Sequence, residues 1–238
     1  MAQEPTQDPN QSMEESGMHR IVALERHPKQ RGRYLVHLDS ADGLSTLNVH
    51  EDTLVRFRLV RDAVLAASEL VHIEAADGKH RAYAAALAYL GAKPRTRKEI
   101  ERYLARKELD EEAIRETADR LERERYIDDS DYAQAFAKQR AGHAKGRLLI
   151  KQELQQRGID RHSAAEAIAA LDPEAEQAAA MKAASKKWKL LKGEPNERRH
   201  KLAQFLMRRG YTGEIVREAI RSVTQDEEPI DDVTWLDN

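Results

Sequence analysis

The sequence contains no cysteine, only 5% aromatic residues and no long apolar run. The absence of cysteine excludes disulfides, thiol catalysis and every zinc site that needs thiolates. No apolar run approaches the roughly 18 residues that span a bilayer, and the N-terminus lacks the basic-then-apolar order of a signal peptide. These absences predict a soluble cytoplasmic protein that does not enter a membrane.

The chain also lacks the short motifs of nucleotide binding and of serine hydrolases. Neither G-x-x-x-x-G-K-[ST], nor G-x-G-x-x-G after a strand, nor G-x-S-x-G occurs in it. The nine histidines are scattered and none pair at H-x-x-x-H spacing, so His37, His50 and His143 are expected to have surface or structural roles. We therefore expect no enzymatic activity, no cofactor and no metal.

Charged residues, in contrast, make up 34% of the chain and nearly cancel to a net charge of −2. Such a composition, with few aromatic rings, favours helices. Alternating runs at residues 20–24, 34–38 and 44–49, separated by turn-forming residues, predict a three-stranded antiparallel sheet. This sheet lies in a predicted β-rich extension of residues 18–60, and the polar residues 1–17 before it are predicted to be a disordered tail.

A helical pattern follows from residue 51 to about residue 223, and one apolar motif recurs in it three times. Each copy has three apolar residues spaced four and five positions apart, and the copies are offset by 50 and then 52 positions. An arginine precedes each copy by three positions. A period near 50 residues indicates one supersecondary unit used three times. The residues are Ile100, Leu104 and Leu109; Ile150, Leu154 and Ile159; and Leu202, Leu206 and Tyr211, preceded by Arg97, Arg147 and Arg199.

This period predicts a mainly α fold, in which three tandem three-helix repeats form an elongated array after the small antiparallel sheet. The predicted segments are a linker helix with the first repeat in residues 61–127, the second repeat in 128–172, the third in 173–223 and an acidic tail in 224–238. The first helices of the three repeats are predicted at roughly residues 79–91, 128–141 and 173–190.

Each repeat is predicted to turn a sharp corner between its second and third helices. Gly158 and Gly210 suit the left-handed C′ position that ends a helix. The first repeat has Glu108 there, at a cost of about 1 kcal/mol relative to glycine. The third helix then begins at once with an N-cap residue, which is Asp110, Asp160 or Thr212.

Three aspartates within four positions, Asp128, Asp129 and Asp131, suggest either a helix start or a metal or catalytic site. With Asp128 as the N-cap, the other two lie in the first helical turn, where free N–H groups and the helix dipole favour carboxylates. Ile127 and Tyr132 then form a hydrophobic staple. The pattern favours capping, because no nucleophile or further ligand stands nearby in the sequence.

Basic residues are segregated along the chain despite its small net charge. Residues 138–161 contain seven bases against two acids, residues 182–209 contain ten against two, and residues 108–131 contain at least ten acids. Such runs are commonly solvated helix faces, but stacked repeats would collect them into a basic stripe that suits a nucleic-acid backbone or an acidic protein groove. The predicted contact residues are Arg97, Arg140, Lys145, Arg147, Lys151, Arg157, Lys186, Lys187, Arg198, Arg199 and Lys201.

Several of these segments together resemble one family. Residues 126–133 (YIDDSDYA) and 146–159 (GRLLIKQELQQRGI) closely resemble the signature of the RecX family of bacterial regulators. Residues 92–104 and 201–211 look like its first and third repeats, and residues 49–55 are similar to the end of the N-terminal extension that some members carry. The family is an all-helical array of three three-helix repeats, in agreement with the period.

The resemblance implies a regulator of homologous recombination, DNA repair and the SOS response. Such a protein binds the filament of RecA recombinase on single-stranded DNA, along the filament groove, and modulates, chiefly by inhibition, its ATP hydrolysis, strand exchange and coprotease activity. We expect a monomer that catalyses no reaction. Two alternatives stay open: a general nucleic-acid-binding helical-repeat protein, and a metal-dependent enzyme that uses the aspartates at 128, 129 and 131.

Overall fold

The computed structural model describes residues 17–224, in which a small sheet precedes a series of helices. The predicted tails, residues 1–17 and 224–238, lie outside this range except for Gly17 and Thr224. The strands are β1 (Met18–Arg26), β2 (Arg33–Ser40), β3 (Gly43–His50) and β4 (Val64–Ala66). The helices are α1 (Glu51–Arg56), α2 (Ala67–Leu90), α3 (Arg97–Ala105), α4 (Glu111–Arg123), α5 (Asp129–Gly142), α6 (Arg147–Gln156), α7 (Arg161–Ala169), α8 (Pro173–Trp188), α9 (Pro195–Arg208) and α10 (Gly213–Val223).

The chain divides into two compact units. One, the N-terminal unit, runs up to Gly91 and also includes Tyr103–Arg120. The other, the C-terminal unit, comprises Ala92–Arg102 and the chain from Leu121 onwards. The residues of α3 and α4 are therefore assigned partly to each unit, while the second and third repeats belong wholly to the C-terminal unit.

The sheet is antiparallel with strand order β3-β2-β1-β4. The three strands that alternation predicts are confirmed as β1, β2 and β3. The fourth strand is a correction, because a continuous helical pattern is predicted from residue 51 onwards. β4 has only three residues and pairs with Met18–Arg20 at the free edge of β1. A strand this short shows no alternation, so only its pairing partner reveals it.

One face of the sheet packs against α1 and α2. Their shared core consists of buried aliphatic side chains from the strands, from the loop before β4 and from α2. These are Ile21, Val36, Leu38, Val49, Leu59, Leu65 and Ile73. α2 begins at Ala67, so the predicted linker helix and the first helix of the first repeat, predicted to start at residue 79, form one continuous helix. Glu69 explains the start at Ala67, because its Oε2 accepts the N–H of Ala66 at 2.8 Å and so closes the first turn.

The three tandem three-helix repeats are confirmed, with α2–α4 as the first, α5–α7 as the second and α8–α10 as the third. Eight of the nine residues of the recurrent apolar motif are buried, and the ninth, Leu109, is half-buried. Small residues let the helices approach closely: Ala133 and Ala137 on α5 and Ala180 and Ala184 on α8 have no exposed surface. Aliphatic side chains packed against alanine therefore form most of the cores of the second and third repeats, with buried Trp188 and Tyr211 added in the third.

The corner between the second and third helices has the predicted backbone in every repeat. Gly158 and Gly210 have φ angles of 90° and 86°, and Glu108 has a φ angle of 57° at the corresponding position of the first repeat. The predicted N-caps are confirmed as well. Asp110 and Asp160 each accept two backbone N–H groups of the following helix, and Thr212 Oγ1 accepts that of Ile215.

Candidate functional site

The cluster Asp128, Asp129 and Asp131 begins helix α5. Asp128 Oδ1 accepts the backbone N–H groups of Ser130 and Asp131, both at 2.9 Å, so its predicted role as the N-cap is confirmed. Within residues 17–224 these three carboxylates do not form a group of ligand atoms close enough to share a metal ion. The arrangement therefore gives the metal-dependent alternative no support.

Asp129 has a second role that the sequence does not reveal. Its Oδ1 accepts the backbone N–H of Arg97 at 2.9 Å, and so joins the start of α3 in the first repeat to the start of α5 in the second. Burial raises the pKa of Asp129, because the half-buried carboxylate is partly desolvated, and the Arg97 N–H offsets this effect only in part. Asp129 is thus a connector between repeats.

The same connection recurs between the second and third repeats. Glu176, in the first turn of α8, is buried and accepts the backbone N–H of Arg147 at 2.8 Å. The other carboxylate oxygen of Glu176 accepts a hydrogen bond from Arg147 Nε at 2.7 Å. In both cases an acid in the first turn of one repeat accepts the backbone N–H of the arginine that begins the second helix of the preceding repeat.

Close backbone contact completes these connections, which we call the repeat joints. At the joint of the second and third repeats, the N–H groups of Gly146 and Leu148 donate to the carbonyls of Arg209 and Gly210, at 2.8 and 3.0 Å. At the joint of the first and second repeats, Thr96 Oγ1 donates to the carbonyl of Arg157 at 2.7 Å. Each joint thus sets the start of one second helix against the C-terminal end of the next.

The two arginines at the starts of α3 and α6 are engaged by acids through their side chains as well. Arg97 forms ion pairs with Glu101 at 3.0 Å and with Glu122 at 2.5 Å, and Arg147 is held by Glu176. For Arg97 and Arg147, the recurrence of arginine that suggests a basic stripe in the sequence thus has a structural explanation in these joints. Arg199, at the corresponding place in the third repeat, is half-buried on α9.

A cleft of about 780 Å³ in the C-terminal unit brings three of the predicted contact residues together. Its basic residues outnumber its acids by five to two, and we call it the cationic cleft. The basic residues are Arg102, Arg140, His143, Lys145 and Arg157, and the remaining lining residues are Glu99, Glu153, Phe136, Gln139 and Gln156.

Two arginines of the cationic cleft are fixed by its acids. Arg140 forms a two-point ion pair with Glu153, in which Nε lies 2.6 Å from Oε2. Arg157 Nη1 lies 2.7 Å from Glu99 Oε1 and donates to Tyr132 Oη at 3.0 Å. Burial raises the pKa of Tyr132 further above neutral pH, where a tyrosine hydroxyl is protonated in any case.

Lys145 and Arg102 are the cleft cations that its acids leave available. Neither makes an ion pair within residues 17–224, although Arg102 Nη1 donates to the carbonyl of Gln156 at 3.1 Å. Phe136 adds an aromatic face, with the Arg157 guanidinium 4.7 Å from its ring centroid. The sequence gives no sign of Arg102 and Phe136 at this site, because they become neighbours of Lys145 only when α3, α5 and α6 stack. His143, for which a surface or structural role is expected, lies two positions before Lys145 and lines the same cleft.

The other predicted contact residues lie outside the cationic cleft. Lys151 is exposed on α6 and Lys186 is exposed on α8. Three more have neighbours in the third repeat. Lys187 Nζ lies 5.6 Å from the Phe205 ring, Arg198 lies 3.9 Å from the Trp188 ring, and Lys201 pairs with Glu197 at 2.6 Å.

Comparison with known protein families identifies this architecture. Three family models match in tandem: the first three-helix domain of RecX over residues 82–121, the second over 128–168 and the third over 174–220. Together they cover more than half of the chain. The chain belongs to the RecX family.

Individual RecX proteins are similar along most of their length. The regulatory protein RecX of Oceanobacillus iheyensis is 28% identical over 215 residues, which cover 89% of this chain and 79% of that protein. The one from Limosilactobacillus reuteri is 30% identical over 200 residues, covering 83% and 74%. These relatives are named as regulatory proteins, which supports a regulatory role for this chain.

Solved RecX structures share the fold. The crystal structure of a regulatory protein RecX matches with a TM-score of 0.65 and 27% identity, covering 88% of this chain and all of that one. RecX from Lactobacillus salivarius matches with a TM-score of 0.58 and 27% identity, covering 63% and 99%. Within residues 17–224, no helix is long and apolar enough to cross a membrane.

Proposed function

We propose that this RecX-family chain regulates homologous recombination by binding the RecA filament on single-stranded DNA. Binding inhibits filament ATP hydrolysis, strand exchange and coprotease activity, and the chain acts as a cytoplasmic monomer without catalysing a reaction. The observation that carries this proposal is the cationic cleft, in a protein whose relatives are named as regulatory proteins.

The chemistry of the cleft suits a phosphate backbone. Arg102 and Lys145 can donate to phosphate oxygens, while Glu99 and Glu153 hold their arginine partners in fixed directions. Contacts of this kind are independent of base sequence. The cleft has few uncompensated charges, so it can make few phosphate contacts. This favours binding to DNA presented on a filament over tight binding to naked DNA.

The proposal is tested by titrating the purified chain into RecA filaments assembled on single-stranded DNA. We expect ATP hydrolysis and strand exchange to fall at a stoichiometry well below one chain per recombinase subunit. Unchanged ATP hydrolysis and strand exchange across the whole titration would contradict the proposal.

A parallel gel-shift series with naked single-stranded DNA distinguishes the alternative of a general nucleic-acid-binding protein. The alternative requires tight binding without recombinase and an affinity that falls steeply as salt rises. We expect weaker binding to naked DNA than to the filament at the same salt concentration.

A further inference from the structure

The N-terminal unit brings two imidazoles and one carboxylate together. In the sequence, these residues lie far from those of the cationic cleft. Asp52 Oδ2 lies 3.4 Å from His50 Nδ1 and 3.2 Å from His80 Nε2. The three residues offer ligand atoms that all lie within 4.8 Å of one another, and theirs is the one such group within residues 17–224. His50 and His80 are half-buried and Asp52 is exposed, so the group is open to ions from solvent.

Helix packing holds these residues in place. His50 is the N-cap of α1 and Asp52 lies in its first turn, while His80 projects from α2. The buried carboxylate of Asp77, one turn before His80, accepts the backbone N–H of His50 at 2.7 Å. Asp77 is itself fixed by Arg33, whose Nη2 lies 2.6 Å from its Oδ2. The backbone of His50 is therefore tied to the helix that carries His80 through the buried carboxylate of Asp77, which the ion pair with Arg33 holds in place.

The spacing fits a small tetrahedral cation. Zinc bound by nitrogen and oxygen at about 2.0–2.1 Å places neighbouring ligand atoms about 3.3 Å apart, which follows from tetrahedral geometry. The two distances from the Asp52 carboxylate, 3.4 and 3.2 Å, match that separation. Imidazole nitrogens also select zinc and related transition metals over magnesium, which prefers oxygen ligands.

Metal binding at this position requires only local side-chain adjustment. The rings of His50 and His80 are stacked, with centroids 4.0 Å apart and planes 25° apart, and must rotate for both lone pairs to converge. His50 Nδ1 now accepts the N–H of Asp52 at 3.2 Å, a long hydrogen bond that a metal bond would replace. Both changes occur at partly exposed side chains, so the backbone need not move.

We propose that His50, Asp52 and His80 bind one divalent transition-metal ion, represented by Zn²⁺, at a three-ligand site whose remaining position is open. The bound ion links α1 to α2 and stabilises the N-terminal unit. The scattered histidines, none of them at H-x-x-x-H spacing, lead to the expectation of no metal. His50 and His80 are 30 positions apart in the chain, and only the packing of α2 beside α1 brings them together.

Zinc titration of the tag-free, full-length chain by calorimetry tests this site. We expect one saturable equivalent per chain. His80→Asn removes one of three ligands and is expected to weaken zinc binding by more than about tenfold, since even loss of an outer-shell partner costs about 10–100-fold. His50→Asn should weaken it similarly, and this variant retains a good N-cap, so the start of α1 is preserved.

The matched control is His72→Asn, which changes an exposed histidine of α2 outside the group. It should bind zinc like the wild type. At the same zinc concentration, zinc should also raise the melting temperature of the wild type and of His72→Asn by more than it raises that of His80→Asn. The proposal is overturned if the wild type shows no saturable binding, or if His72→Asn weakens binding as much as His80→Asn. If His80→Asn fails to fold, Asp52→Asn, at an exposed side chain, provides the same comparison.

Discussion

Glu108 occupies the left-handed backbone position that the second and third repeats give to glycine. Its φ angle of 57° places its Cβ close to the following carbonyl oxygen, a conformation that costs an L-residue about 1–2 kcal/mol. The side chain is exposed, so no packing at the side chain compensates for this strain. The first repeat therefore carries a local strain that its two sister repeats avoid.

Replacing Glu108 by glycine is expected to raise the free energy of unfolding by about 1 kcal/mol. The relief of left-handed strain exceeds the extra entropy that glycine gains in the unfolded chain, about 0.5–1 kcal/mol. Urea denaturation of both proteins measures the difference. Glu108→Ala removes the same charge but retains a Cβ, so it should not stabilise the protein. An equal gain in both variants would mean that charge, and not backbone conformation, is responsible.

Asp129 and Asp160 illustrate opposite effects of environment on a helix-starting aspartate. Burial raises the pKa of Asp129, so its ionised form is disfavoured in the folded state. Hydrogen bonds to its carboxylate lower the pKa of Asp160. The largest contribution comes from the Ser163 hydroxyl, and smaller ones come from the backbone N–H groups of Ser163 and His162. The folded state therefore holds a proton on Asp129 more tightly than the unfolded chain does, and holds one on Asp160 less tightly.

These shifts predict opposite pH dependences for two asparagine variants. Asp160 contributes stability above its unfolded pKa, and this contribution is lost as pH falls through the lowered folded pKa. Asp160→Asn should therefore destabilise near pH 7 and have a smaller effect near pH 3. The ionised Asp129 carboxylate lowers the stability of the folded state above its raised folded pKa. The free energy of unfolding of Asp129→Asn, relative to wild type, should therefore be higher near pH 7 than near pH 3. Urea denaturation at both pH values tests this, and parallel changes in the two variants would contradict it.

The repeat joints decide how individual helices stack within the C-terminal unit. A Cβ at Gly210 would overlap the side chain and backbone nitrogen of Leu149, and one at Gly146 would overlap the backbone of Gly210 and Tyr211. Gly210 also needs its left-handed φ of 86°, whereas Gly146 has an ordinary φ of −81°. Gly146 is therefore glycine only because of the close approach between two repeats.

Gly146→Ala isolates that close approach from any backbone strain. We expect it to lower the free energy of unfolding by about 2–3 kcal/mol, because the overlapped atoms are backbone and overpacking of a rigid contact costs about 1–3 kcal/mol. Thermal and urea denaturation measure the loss. The control is Gly142→Ala at the end of α5, where a Cβ meets no other group within 4 Å and stability should stay equal or rise by up to about 1 kcal/mol. A Gly146→Ala protein as stable as Gly142→Ala would show that the joint adapts without cost.

At the scale of the whole molecule, a net charge of −2 conceals a local excess of positive charge in the cationic cleft. Repulsion from an anionic filament is weak when the total charge is small, and at distances beyond about 8 Å it is screened by physiological salt. Attraction at the cleft therefore depends on a few cations. Those not paired with its acids, Lys145 and Arg102, are the ones we expect to matter most.

The double variant Arg102→Gln, Lys145→Gln is expected to inhibit filament ATP hydrolysis about tenfold less effectively than wild type, because two phosphate contacts are lost. The fold should be retained, since neither side chain makes an ion pair within residues 17–224 and Arg102 loses only one exposed hydrogen bond, to the carbonyl of Gln156. Titration of filament ATP hydrolysis gives the midpoint for each protein. Lys29→Gln, Arg31→Gln removes the same charge from the exposed turn between β1 and β2 and serves as control. If the two double variants inhibit ATP hydrolysis with the same midpoint, the cleft is excluded as the contact surface.

Local features of this protein follow from the sequence alone. The N-caps at Asp110, Asp128 and Asp160 and the left-handed corners depend on residues within a few positions of each other, whose preferences act through one helical turn. The period near 50 residues is visible because this local pattern recurs three times along the chain. Hydrophobic periodicity likewise predicted the buried motif of each repeat and the three longer strands.

Tertiary structure decided which charged residues form ion pairs within the protein and which remain available to bind a partner. Arg157 meets Glu99 across 58 positions of sequence, and Arg147 meets Glu176 across 29. Sequence spacing cannot distinguish such a paired arginine from one that faces solvent, because the pairing depends on how rigid repeats stack. The same holds for the short strand β4 and for the group of His50, Asp52 and His80, whose members are brought together by packing and not by any local preference of the chain.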